Sequence, residues 1–364
     1  MIEGIIPAEI AAEPTAIRST LADSLESARA AAAALRRGGV RRVHVIGNGT
    51  SYHSSLAAAT LYRRHAGPDD PIVIPLTAGD FRTYLPRLGP ADAVLGISAS
   101  GEFRDVVGVV EALRGRVPTV AVVHVPRSTL DGIADYVVRS AGGPSEVPVM
   151  TKTFAATLVA TELVLAELLG DDRAETIRRA ISLAADQAEV AIEAAGSRVA
   201  ALADALVGAG HLFVVGSGGA YPAALESALK LKEMAIVHAE GTESWEMASG
   251  AATIVGVDSV VIALAPNGPG RAATVDVASH AAGWGARVIE VAPHSSVAGA
   301  TLLPIPETAA EDYAPLTAVA PVALLAFVLA RRRGHDPDHP GWVERYHSQG
   351  LWHIVGVGDA GKEG

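Results

Sequence analysis

The chain has 364 residues, 49% of them hydrophobic but only 4% aromatic, which supplies enough apolar surface for two cores built mainly from Ala, Val, Leu and Ile. A formal net charge of −11 provides no basic field for a polyanion, so nucleic acid is not an expected partner. The absence of cysteine excludes disulfides, Cys-ligated zinc, a thiol nucleophile and iron–sulfur chemistry, and it fits a reducing, cytoplasmic setting.

In chain order, the opening MIEGIIPAEIAAEP is acidic where a secretory signal is basic, and it has no apolar centre, so no leader is expected. Residues 1–35 read as a lead-in that is helical after Pro14. Residues 36–170 alternate short β-branched runs with Ala/Leu-rich helical stretches and form a first domain. Residues 171–205 read as an Ala-rich helical connector, residues 206–333 as a second domain, and residues 334–364 as an irregular arm rich in Gly, Pro and His. The most apolar run, Ala318 to Ala330, contains Pro321 and is shorter than the ~20 residues a spanning helix needs. A buried helix is expected there, and no membrane partner.

The second domain repeats the first. VHVIGNGTSYHSSLAAATLYRR (43–64) matches LFVVGSGGAYPAALESALKLKE (212–233), and one separation of 169 residues carries Gly47 onto Gly216, Gly49 onto Gly218 and Tyr52 onto Tyr221. The same separation carries VLGISASGE (94–102) onto ALAPNGPGR (263–271), and VPTVAVVHV (117–125) onto ARVIEVAPH (286–294). Uninterrupted apolar strands alternating with helices imply an α/β fold in each copy, a parallel sheet covered by helices on both faces. Ligands of such sheets bind at the carboxyl ends of the strands.

Both Gly turns lie at such ends. Gly47-Asn48-Gly49 is not a dinucleotide fingerprint, because Tyr52 stands where the third Gly belongs, and there is no Walker Gly-Lys-Ser/Thr. No cofactor is expected. The turn Ser98-Ala99-Ser100-Gly101-Glu102 follows a strand and opens a helix. Small hydroxyls and backbone N–H groups at a helix start cradle an anion, although a serine there also serves as an ordinary cap. Thr50 and Ser51 offer further hydroxyls from an adjacent loop. The corresponding turn of the second copy, Asn267-Gly268-Pro269-Gly270, carries no hydroxyl.

Acid–base chemistry points to the second copy. Glu226, Lys230 and Glu233 sit at i, i+4 and i+7 of one predicted helix and share a face. Such a pattern is commonly a solvated row of ion pairs, but a Lys beside a partly buried carboxylate is also how a general base is tuned. His238, next to that helix, is the candidate auxiliary acid. His335 and His339 are four residues apart, but Pro337 and Pro340 prevent a helix from presenting them together, so no metal site is expected.

GNGTS (47–51), ISASGE (97–102), TKTF (151–154), ALESALKLKE (224–233) with VHAEG (237–241), and LLAFVLARRRGHDPDHP (324–340) together resemble the sugar isomerase (SIS) domain family, in particular the tandem SIS pair of the glucosamine-6-phosphate synthases, from about Glu13 to Tyr346. The resemblance implies two doubly wound, flavodoxin-like three-layer domains and a homodimer with shared active sites. It implies that Thr50, Ser98 and Ser100, flanked by Gly49, Ser51 and Gly101, hold a sugar phosphate. It makes Glu233 the base that moves a proton between C1 and C2 of an open-chain sugar, with Lys230 assisting and Glu226 supporting, and places Met150 among the substrate contacts. The chain departs from the family pattern at four positions. Ala99 and Phe103 replace a polar residue and a Thr in the phosphate turn, Ser249 stands where a ring-opening His is found, and Arg345 falls near a substrate-contacting Lys. Arginine stays protonated, so Arg345 is suited to bind an anion and not to act as a base. With no cysteine and a start within the SIS-like region, glutamine-driven amination by this chain alone is not expected. The expected function is cofactor-free isomerisation, or deamination or deglycation, of a phosphorylated sugar or amino sugar. The rivals are a sugar-phosphate sensor and an amination subunit fed by a separate glutaminase.

Overall fold

A computed structural model describes residues 2–351. Three helices come first, α1 (Ile5–Ala11), α2 (Glu13–Asp23) and α3 (Leu25–Arg37). The first repeat runs β1 (Arg42–Gly47), α4 (Thr50–His65), β2 (Ile72–Thr77), α5 (Ala78–Thr83), β3 (Asp92–Ile97), α6 (Arg104–Leu113), β4 (Thr119–Val123), α7 (Thr129–Ile133), β5 (Tyr136–Arg139) and α8 (Lys152–Leu168). Helices α9 (Asp171–Gly196) and α10 (Val199–Leu206) follow. The second repeat runs β6 (His211–Gly216), α11 (Ala220–Ala235), β7 (Ala239–Glu243), α12 (Ser244–Ser249), β8 (Ser259–Leu264), α13 (Arg271–Gly283), β9 (Arg287–Ala292), β10 (Thr301–Pro304), α14 (Ala314–Thr317) and α15 (Val319–Arg332). Helix α16 (Trp342–Ser348) closes the described chain.

Both sheets are parallel and have five strands, in the orders β2-β1-β3-β4-β5 and β7-β6-β8-β9-β10. The two orders are the same one, as the duplication read from the sequence requires. In each, chain order reverses at the second strand, between β1 and β3 and between β6 and β8, and the carboxyl ends flanking that reversal are where doubly wound sheets bind ligands. All six residues of β3 and of β8 are buried, which is why these strands read as continuous apolar runs.

The chain forms two compact units. Among the described residues, one comprises residues 2–14, Ser145–Thr151 and Leu183–Pro340, and the other Thr15–Pro144, Lys152–Ser182 and residues 341–351. The first carries the β6–β10 sheet, the second the β1–β5 sheet. Within the first, α11 and α10 pack on α15, whose residues Val319 to Ala330 are all buried. The stretch Glu311–Arg332 is long and apolar enough to cross a membrane, yet its most apolar 18 residues are all buried inside this unit.

Two expectations need correction. Helix begins at Ile5, ahead of Pro14, because Pro7 falls in the first turn, where no N–H is needed, and because the Asp338 carboxylate accepts from the amides of Ile5 (3.1 Å) and Ile6 (2.8 Å). That cap comes from the far end of the chain and has no local signature. The C-terminal arm is not wholly irregular either, since it contains α16, where Trp342 packs on Tyr346 with ring centroids 5.2 Å apart.

In the second unit, residues 153–168 of α8 are all buried, Glu162 among them. Its Oε2 meets no partner among the described residues, and burial pushes its carboxyl up to about 8. A folded-state value above the unfolded one means that the folded chain holds the extra proton between about pH 4.5 and 8, so stability falls as pH rises through that window. Glu162→Gln is expected to change stability by less than ~1 kcal/mol at pH 5 and to raise it by ~2–4 kcal/mol at pH 9. Urea denaturation at the two pH values measures this, and an unchanged difference between them would show that Glu162 is not the group responsible.

Candidate functional site

The hydroxyl cradle lies in the second unit, at the ends of the paired strands β1 and β3. Ser98 is buried and its Oγ accepts from the Gly101 amide (3.1 Å); Ser100 Oγ accepts from the Glu102 amide (3.2 Å), and the two hydroxyls are 3.5 Å apart. Two of the turn's own N–H groups are thus already engaged by its serines. The turn therefore presents two pre-positioned hydroxyls, with these two amides already taken. Gly101 adopts φ 70°, and a Cβ there would fall 2.0 Å from Ser128 Oγ, so only glycine fits. Glu102, the acid nearest the cradle, is held by α7, where its oxygens accept from Thr129 N and Oγ1 at 2.7 Å each. Phe103 is the N-cap of α6 and packs against the core beneath the turn.

Thr50 and Ser51 are not loop residues. They form the first turn of α4 and are buried, at 7% and 8% exposure. Gly49, at φ 53°, lets β1 turn directly into the helix, which is why no loop intervenes. Asn48 was not predicted to matter. Its Nδ2 donates to Asp105 Oδ2 at the start of α6 (3.1 Å), and its Oδ1 faces the Gly79 amide (3.4 Å). The central residue of the Gly-Asn-Gly turn thus ties the two strand-end turns together. Arg345, on α16, is exposed.

The carboxylate face lies in the first unit. Helix α11 is rich in Ala, Leu, Lys and Glu, strong helix formers, and it brings the three predicted residues together. Lys230 Nζ is 3.1 Å from Glu226 Oε1 and 2.7 Å from Glu233 Oε2. The Lys230 and Glu226 side chains are 1% and 0% exposed, whereas Glu233 is 24% exposed. This is not a solvated row of ion pairs. Burial works against the Lys230 charge, but the carboxylates of Glu226 and Glu233 outweigh it and hold the ammonium above its ordinary value. Lys230 is therefore held as a cation and hydrogen-bond donor, and of the three side chains only Glu233 reaches solvent.

Glu13 joins this cluster from α2. It is buried, and burial, together with Glu226 and Glu9 against the opposing effect of Lys230, pushes its carboxyl up to about 8. It therefore adds a neutral acid beside the Lys230 pair at neutral pH. Its sequence signal was an isolated acid before Pro14, far from α11 in the chain. Glu9, on α1, holds the segment that carries Met150: its carboxylate accepts from Glu146 N and Ser145 Oγ at 3.1 Å and from Thr151 Oγ1 at 3.4 Å. Met150 is half-buried in this segment, which belongs to the same unit as α11. His238 is exposed in the connection from α11 to β7, and Ser249 is exposed at the end of α12, its hydroxyl donating to the Trp245 carbonyl (2.7 Å). Among the described residues no group of three or more His, Cys, Asp or Glu side chains is placed to hold a metal ion.

The two parallel sheets, each with the same strand order, define a tandem doubly wound α/β architecture, and known proteins share it. The SIS domain profile matches residues 39–167 and 205–330. The chain belongs to the SIS domain family. It is 34% identical over 342 residues to a glutamine–fructose-6-phosphate aminotransferase (isomerizing) of Pyrobaculum aerophilum, a match that covers 91% of this chain and 55% of that protein. The chain thus spans about half the length of the curated relatives it matches. Among solved structures it superposes on the C-terminal domain of the Francisella tularensis glucosamine-fructose-6-phosphate aminotransferase with a TM-score of 0.85 at 21% identity, covering 93% of this chain and 99% of that one. It superposes on the Escherichia coli tagatose-6-phosphate ketose/aldose isomerase with a TM-score of 0.79 at 21% identity, covering 93% and 97%. At these identities the two superpositions speak for the fold.

Proposed function

We propose that the chain is a cofactor-free SIS-type catalyst acting on a phosphorylated sugar or amino sugar, by aldose–ketose isomerisation or by deamination or deglycation through an enediol or enolamine. The observation that carries this reading is the buried Lys230 ammonium, locked between Glu226 and Glu233 with only Glu233 open to solvent. A sensor has no need of a solvent-reaching carboxylate held by a buried ammonium, whereas a proton shuttle does. Glu233 takes the proton from the carbon next to the carbonyl; the electron pair moves to the carbonyl oxygen, which takes over the proton of the neighbouring hydroxyl or amine by way of an enediol or enolamine. Returning the proton to the neighbouring carbon completes the isomerisation. Lys230, donating to Glu233 Oε2, fixes the side chain for both steps. In this reading Ser98, Ser100 and Thr50 hold the phosphate through hydroxyl and amide hydrogen bonds.

Amination is the second reading, favoured by the 34% identity to a protein named as an aminotransferase. It requires ammonia or an amine from another source, because the chain has no cysteine to split glutamine. The phosphate assignment is tested by thermal shift with fructose 6-phosphate, glucosamine 6-phosphate and tagatose 6-phosphate, each beside its unphosphorylated counterpart. The phosphorylated forms should stabilise the protein selectively, and Ser98→Ala with Ser100→Ala should weaken apparent affinity about tenfold or more. Equal stabilisation by both forms, or an unaffected double variant, would remove the phosphate from this turn.

A further inference from the structure

The duplication places a second cradle at the ends of β6 and β8, and a side chain of the chain itself sits in it. Glu311 is 5% exposed. Its Oε2 accepts from the Gly270 amide at 2.6 Å, at the start of α13. Its Oε1 lies against the other turn, where a Cβ on Gly218 would fall 1.9 Å from it. One carboxylate therefore spans both strand-end turns and does more than cap one helix. Its backbone is built in as well: Glu311 N donates to Asn267 O (2.9 Å), Asn267 N donates to Ala309 O (3.2 Å), and Asn267 forms a parallel bridge with Ala310.

Comparison of the two copies says what this carboxylate does. Gly49 and Gly218 are equivalent, 169 residues apart, and share the same left-handed backbone, with φ of 53° and 57°. A Cβ on Gly49 would meet no protein atom within 4 Å, whereas one on Gly218 would strike Glu311. The first copy's turn offers the hydroxyls of Ser98 and Ser100; the second offers none, and Gly268 and Gly270 approach Glu311 closely instead, with Cβ positions 2.4 Å from its Cβ and 2.8 Å from its Oε2.

We propose that Glu311 is the resident anion of the second domain, seated between the Gly218 and Gly268–Gly270 turns where the first domain receives the anionic group of a ligand. The repeat keeps its anion-binding geometry but supplies the anion in cis. The chain accordingly takes up one oxyanion, and the turn from which α11 departs is fixed by a covalently attached carboxylate. Only the statement that the first copy's place is for a ligand rests on the function proposed above.

The test is anion rescue, performed on the full chain carrying Ser98→Ala and Ser100→Ala so that the first cradle does not contribute. In chloride, Glu311→Ala should lower Tm by about 5 °C or more, from the loss of a buried charge-assisted hydrogen bond. Sodium formate or inorganic phosphate at matched ionic strength and pH should restore at least half of the loss. Glu311→Gln fills the same volume without the charge; it should lose stability and gain nothing from either anion, because the place is occupied. Rescue of Glu311→Ala no larger than that of Glu311→Gln would overturn the proposal. If Glu311→Ala does not fold in chloride, refolding yield is measured instead: recovery in phosphate but not chloride supports the proposal, and failure in both overturns it. In chain with Ser98 and Ser100 intact, the phosphate response reports separately on the first cradle, so failure of one assignment is distinguishable from failure of the other.

Discussion

Glu233→Gln is expected to lower turnover on any sugar phosphate the protein transforms by about 10²–10⁴-fold, with ligand affinity kept within about threefold. Glutamine preserves the shape and can still accept from Lys230 Nζ through its carbonyl, so the hydrogen bond at Oε2 has a replacement. What it cannot do is take a proton from carbon. The loss should thus appear in kcat, with KM little changed, as for a group that acts only as the reaction proceeds. Steady-state kinetics on the substrate found by the thermal-shift panel, with a titration of the same ligand against both proteins, separates the two effects. A variant that keeps near-normal kcat would move the base elsewhere.

Lys230→Met is expected to destabilise the chain by ~3–5 kcal/mol at pH 7, among the largest effects of any single substitution. Lys230 is 1% exposed, and its partner Glu226 is completely buried. Removing the cation takes the Lys230 charge away from the buried Glu226 carboxylate. Replacing Glu226 with Gln in the same chain should return a large part of the loss, because the buried negative charge is then gone. Denaturant unfolding of the two single variants and the double variant closes this cycle. Additive losses would show that the two side chains do not form one buried unit. The loss on Lys230→Met should also shrink toward pH 4, where the buried carboxylate can take up a proton.

The fold was legible because duplication wrote it twice. One separation of 169 residues carries three blocks onto one another, and each block became a strand and its following turn in sheets of identical order. The spacing of Glu226, Lys230 and Glu233 was legible for the same kind of reason, since helical periodicity is local. Burial was not. Nothing in ALESALKLKE distinguishes a solvated row of charges from a buried one. The residues that complete the site come from remote sequence: Glu13 from α2, Glu9 from α1, and Asp338 capping α1 from near the end of the described chain. Glu311 was hidden by distance as well. The second copy's turn carries no hydroxyl, and the carboxylate that accepts from its Gly270 amide lies 41 residues further along. Asn48 carried a signal, its place between two glycines, but nothing local in that pattern points to a brace to Asp105.

The most direct measurement of the central claim is proton NMR of fructose 6-phosphate, tagatose 6-phosphate or glucosamine 6-phosphate incubated with the protein in deuterated water. Proton transfer through an enediol or enolamine predicts solvent deuterium at C1 or C2 of at least one of these sugars, and its disappearance with Glu233→Gln. A sugar phosphate that binds and stabilises the protein yet gains no deuterium and forms no product, or one that exchanges equally well with Glu233→Gln, would contradict it.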